Sequence, residues 1–168
     1  YAAQGHDFQL HGCTHVGFEF GAPESWMVQV CGEAYVRAEA NGFRELQKDW
    51  TPEVIRCKFE KAIAAFERAL ESRPQVFRAG CLAAGDTAFE CMAEFGLLYD
   101  SNKIVNPRMW DYFAGKFDSR RPWDPEVKPY PYHLNDKVVE LAAIAEYAWE
   151  LSAETMHCFV DAALADMQ

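Results

Sequence analysis

No uninterrupted apolar run in this sequence reaches the ~18 residues that a membrane-spanning helix requires. The most apolar stretch, 141–148, carries Glu146 and is flanked by Glu140 and Glu150. N-x-S/T sequons are absent, so N-linked glycosylation is not expected. There is no C-x-x-C pair, which removes support for zinc ribbons and thioredoxin-type redox sites. G-x-S-x-G, H-E-x-x-H, phosphate-binding glycine loops, dinucleotide fingerprints and EF-hand loops are also missing. The carboxylates are scattered, and no pair stands out as a glycosidase dyad.

Positive charge is scarce. Sixteen Lys and Arg face 26 Asp and Glu, for a net charge of −10. That balance disfavours nucleic acid, where neutralising phosphates supplies most of the affinity. It also disfavours anionic membrane surfaces. Arg120-Arg121 is the only short basic cluster outside the expected helices. No basic region followed by a hydrophobic run opens the chain, and Tyr1 stands where a Met would begin a nascent product. The chain therefore reads as a mature, processed product.

What is present points to a folded domain. The length of 168 residues suits one domain, here taken as 1–168. Half of the residues are hydrophobic and 14% are aromatic, which excludes a disordered chain. Six cysteines, Cys13, Cys31, Cys57, Cys81, Cys91 and Cys158, are even in number and spread along the chain. In a processed chain that pattern reads as three disulfides and an extracellular, secreted setting.

Periodicity locates the elements. Phe8–Phe20 alternates, with Phe8, Leu10, Val16, Phe18 and Phe20 on one parity, as in a strand. Residues 1–22 are expected to be extended. Apolar residues from Trp26 to Ala38 predict a helix over 23–40, stopped by Asn41-Gly42. Thr51, Pro52 and Glu53 mark the start of a second helix, ended near Pro74. A third helical region, uneven at Gly80 and Gly85, is expected over 75–99, and Asn106-Pro107 predicts a short fourth helix. Residues 118–133 carry four prolines among aromatics and predict an extended loop. Asn135 is expected to cap a long final helix over 136–166. A hairpin of the second and third helices brings Cys57 near Cys91, while one of the first and second brings Cys31 near Cys57. The fold class expected is all-α, a four- to five-helix disulfide-braced bundle with a short extended or β N-terminal segment.

Three places could hold chemistry. On a strand, His11, Cys13 and His15 share one side, with His6 or Glu19 as further donors, a set that suits zinc or copper. The simpler reading places Cys13 in a disulfide, so no metal site is assigned. His157 and Cys158 are adjacent on a helix, with Glu154 and Asp161 one turn away. Adjacent helical residues point about 100° apart, so they do not form a thiol–imidazole pair. His133 reads as a surface or packed histidine. No catalytic, cofactor or metal residue is singled out.

The function expected from sequence is a secreted, non-enzymatic binding or interaction protein that holds an apolar small molecule between helices or engages another protein. The aromatic richness supports such a cavity. One alternative is a structural or self-assembling component of an extracellular fluid or matrix (egg fluid or venom included), forming a homo-oligomer through the N-terminal segment. The second alternative is a hydrolase with an unfamiliar site near His157 and Asp161.

Overall fold

The computed structural model describes residues 4–14, 18–23, 28–105, 126–143 and 153–166, with only the backbone described at 28–31 and at several positions of 153–166. The described helices are α1 (Val28–Ala40), α2 (Pro52–Leu70), α3 (Asp86–Met92) and α4 (Ala153–Asp166). Among the described residues four short strands, β1 (Val76–Phe77), β2 (Tyr99–Asp100), β3 (Tyr132–His133) and β4 (Val139–Glu140), form one sheet in the order β1-β2-β4-β3. β1, β2 and β4 run parallel, and β3 is antiparallel to β4.

The molecule is therefore a mixed α/β fold, and the expected all-α helical bundle is overturned. The region expected as a third helix holds β1, a short 3₁₀ turn, α3, a second 3₁₀ turn and β2. Gly80, Gly85 and Gly96 punctuate it, and α3 survives as two turns between them. The expected long final helix is also shortened. Asn135 does cap, but its Oδ1 accepts from the backbone N–H of Lys137 and Val138, each at 2.9 Å. That is an Asx turn, the same local chemistry as a helix N-cap. It turns the chain back antiparallel, so that Val139 pairs with His133 across β3 and β4. The expected fourth helix lies outside the described residues.

The disulfide brace is overturned too. Among the described residues Cys13, Cys57 and Cys91 are free thiols. Cys57 is exposed on α2 while Cys91 is buried on α3, so the two do not face one another. Pairing of Cys31 with Cys57 falls with the free thiol of Cys57, and the side chains of Cys31 and Cys158 lie outside the described residues.

Apolar packing supplies what disulfides were expected to supply. Thr51 caps α2, its hydroxyl accepting from the N–H of Val54, and Ile55, Phe59, Ala62 and Ile63 form the buried stripe. Phe59 meets Phe20 and Phe77 with ring centroids 5.1 Å or less apart, and all three side chains are fully buried. Each such ring contributes about 2–3 kcal/mol by burial alone. Met92 and Phe89 of α3 close the same core. Among the described residues the alternating N-terminal segment pairs at isolated positions. Leu10 bridges Phe77, donating to Val76 O and accepting from Arg78 N, and Phe20 bridges Ala84.

Candidate functional site

A second, smaller apolar cluster forms beside the main core, and its geometry begins with a helix stop. At the end of α1, Gly42 has φ +59°. Its N–H donates to Glu39 O at 2.7 Å, and Phe43 N–H donates to Ala38 O at 2.8 Å. These bonds make a Schellman motif, the C-terminal cap that glycine favours. The Asn41-Gly42 stop read from the sequence is thus realised, and it returns Phe43 against the helix it ends.

Phe43 then meets Phe18, Tyr35 and Trp50, with ring centroids 6.0, 5.8 and 5.8 Å away. The edge-on contacts suit the charge distribution of aromatic rings. The frame is held by polar bonds at its margin. Trp50 Nε1 donates to Phe18 O at 2.8 Å, and Tyr35 donates its hydroxyl to Glu39 at 3.2 Å. The Lys58 ammonium donates to the carbonyls of Glu19 and Asp49, and burial lowers its pKa from the usual lysine value.

Between this frame and α1 lies a cleft of about 260 Å³. Phe18, Phe43 and Leu46 line one side and Ala34 and Ala38 the other, while Arg37, Asn41 and Glu45 add polar groups. The small alanines leave the space that the aromatic side chains bound. A cleft with an apolar wall and a few polar groups has the composition of a small-molecule site.

Of the residues singled out from sequence, Cys13 and Glu19 are brought together, through the Cys13 backbone. His11 Nδ1 donates to Arg78 O at 2.7 Å, and Cys13 Sγ donates to Lys58 O at 3.2 Å. Glu19 accepts from the backbone N–H groups of Cys13 and Thr14. His15 lies outside the described residues. Among the described residues no group of three His, Cys, Asp or Glu side chains could hold a metal ion. His157 and Asp161 both stand exposed on α4, and His133 is exposed on β3.

One chemically charged arrangement escaped the sequence reading. Asp100 and Glu140 are direct partners across β2 and β4, and both are fully buried. Asn102, also buried, donates to Asp100 from its side-chain amide and its backbone N–H. Asn102 Oδ1 accepts from Ala79 N–H at 2.8 Å, tying the group to the end of β1. Glu140 Oε1 accepts from Lys103 N–H at 3.2 Å, while Oε2 has no donor. Two acceptors side by side need a proton between them, and burial pushes Glu140 up to about 9, with the Asp100 carboxyl adding to the rise. Burial raises Asp100 as well. Glu140 is therefore held as the neutral acid at neutral pH, as one member of a buried pair of facing carboxyls is. Forty residues separate the two acids, and only the parallel pairing of β2 with β4 joins them. With no exposed surface, the pair is a structural acid pair and not a site that substrate reaches.

No protein-family model, curated protein or solved structure matches the chain. Among the described residues no helix is long and apolar enough to cross a membrane.

Proposed function

We propose that this protein is a non-enzymatic binding protein that holds a compact, largely apolar molecule between α1 and the turn at 41–46. The observation that carries the reading is the cleft bounded by Phe18, Phe43 and Leu46 against Ala34 and Ala38. Its volume of about 260 Å³ is a little below the ~300–1,000 Å³ of drug-sized sites. The occupant is accordingly a molecule of one or two rings. Arg37 and Glu45 offer one charge of each sign, so a neutral molecule with a hydrogen-bonding group fits better than an ion.

An extracellular setting was expected from disulfides, and the free thiols remove that support; the binding reading does not depend on location. Assembly through the N-terminal segment has less support than ligand binding, because Leu10 already uses both its backbone groups on β1. A hydrolase at His157 and Asp161 has less again, with both side chains on one exposed helix face.

Indole is a suitable probe. Saturation-transfer NMR is expected to show its protons receiving magnetisation from the wild-type protein, and Trp50 fluorescence to shift on binding. Ala34 is exposed, so Ala34→Phe fills the cleft without entering the core. That variant should keep its circular dichroism spectrum and lose the indole signal. Unchanged indole binding by a folded A34F protein would refute the assignment.

A further inference from the structure

Lys58 lies in the first half of α2, next to Phe59, whose ring is fixed in the main core. The core therefore sets where the Lys58 stem leaves the helix. Its ammonium reaches two segments that are remote from one another in the chain. It donates to the carbonyl of Glu19 in the N-terminal segment. It also donates, at 2.9 Å, to the carbonyl of Asp49, the last residue of a short 3₁₀ turn (Gln47–Asp49) ahead of α2. The same ammonium stands 5.8 Å from the centre of the Phe20 ring, a cation–π distance.

The residues beside those two carbonyls build one wall of the apolar cleft. Phe18 precedes Glu19 and lines the cleft. Trp50 follows Asp49 and packs on Phe43, which lines it too. A neutral hydrogen bond from Trp50 Nε1 to Phe18 O joins the same two segments at 2.8 Å. Two ties thus run side by side between residues 18–19 and 49–50. The Lys58 tie carries a full charge, and charge-assisted bonds are roughly twice as strong as neutral ones. Partial burial strengthens it further and makes its loss costly, because two carbonyls then lose a charged donor. A wall fixed in this way is formed before any ligand arrives, which lowers the ordering cost of binding.

We infer that Lys58 is the positioning residue of the apolar cleft: by joining Glu19 to Asp49 it holds Phe18 and Trp50 at the spacing that a bound ring requires. Lys58 acts through Phe18 and Trp50 and not by touching the ligand. The inference rests on the reading of that cleft as a binding site, and it adds what keeps the cleft in shape. Loss of the ammonium frees the 18–20 segment from the turn ahead of α2. Affinity then falls although every group that meets the ligand is unchanged.

Three variants of the full chain test the inference. Lys58→Met removes the donors and keeps the apolar stem, and Lys58→Arg keeps the charge and the donors. Lys61→Met removes an exposed charge one turn further along α2. Two quantities are read by NMR: the affinity for indole, and the rate at which the Trp50 Nε1 proton exchanges with solvent in the ligand-free protein. K58M is expected to keep the wild-type circular dichroism spectrum, to bind indole at least about tenfold more weakly, and to exchange the Trp50 proton faster by a similar factor, as loss of a bond to a charged group does. K58R should recover most of both, and K61M should match the wild type. If K58M fails to fold, Lys58→Gln, one atom shorter and still polar, takes its place with the same expectations. The inference is overturned if either quantity stays at its wild-type value in the folded variant, if K58R behaves as K58M does, or if K61M shows the same losses. Absence of indole binding by the wild type overturns the reading of the cleft as a binding site. Trp50 exchange in the ligand-free variants then still decides whether Lys58 holds the frame.

Discussion

Glu140 shows how a single side chain couples this fold to pH. Its pKa is about 9 in the folded chain, against an ordinary value of 4.5. The folded state therefore keeps a proton that the unfolded chain releases. Stability from this group is fully present below about pH 4.5 and declines as pH rises to about 9. One proton corresponds to a slope of about 1.4 kcal/mol per pH unit at most. Glu140→Gln keeps the shape, has no proton to lose, and can donate its amide to Asp100. Urea unfolding across that range should show a flatter pH profile for E140Q than for wild type, with the larger gain on the alkaline side. A parallel decline in both proteins would show that the acid pair is not the titrating unit. Nothing around residue 140 in the sequence announces this role, since an acid in an apolar run looks like an interruption.

At the scale of elements, local chemistry was legible and its consequence was not always. Thr51-Pro52-Glu53 marked the start of α2, and Asn41-Gly42 marked the end of α1. Both signals act through bonds within a few residues. Asn135 was read for its capping ability, which is real, yet the same Asx geometry serves a turn into β4. Which outcome follows depends on β2, whose edge pairs with β4 from far away in sequence. Gly42 gives a clean test of the cap. A Cβ there meets nothing closer than Arg44 Nε at 3.9 Å, so Gly42→Ala carries only the cost of a left-handed residue. That cost is about 1 kcal/mol. Thermal unfolding of G42A should show a loss of that size, accompanied by weaker indole binding as Phe43 loses its fixed position. Gly21 is a different case: a Cβ there would sit 2.4 Å from Gly85 N, so its constraint is close backbone approach at the Phe20–Ala84 bridge.

For the whole molecule, the cysteines set the clearest expectation. Cys13 and Cys57 are exposed, whereas Cys91 is buried in the core between α2 and α3. Brief alkylation of the folded protein, mapped by peptide mass, should mark Cys13 and Cys57 and spare Cys91 until denaturant is added. Partial desolvation and the nearby Glu19 carboxylate raise the Cys13 thiol, so its labelling should quicken as pH is raised. Early labelling of Cys91 would mean that the α2–α3 core opens readily.

By itself the sequence determined that the chain folds, that α2 begins at its Thr-Pro-Glu signal, and that α1 ends at its Asn-Gly stop. These follow from composition, periodicity and bonds between near neighbours. The tertiary structure alone decided that residues 76–77, 99–100 and 139–140 form parallel strands, because pairing of two-residue strands draws its energy from partners distant in the chain. It also decided that Cys57 and Cys91 stay unpaired, that Asp100 and Glu140 meet as buried partners, and that lysines from separate segments line one pocket. Each of those depends on which segments become neighbours, a quantity that short-range patterning does not contain.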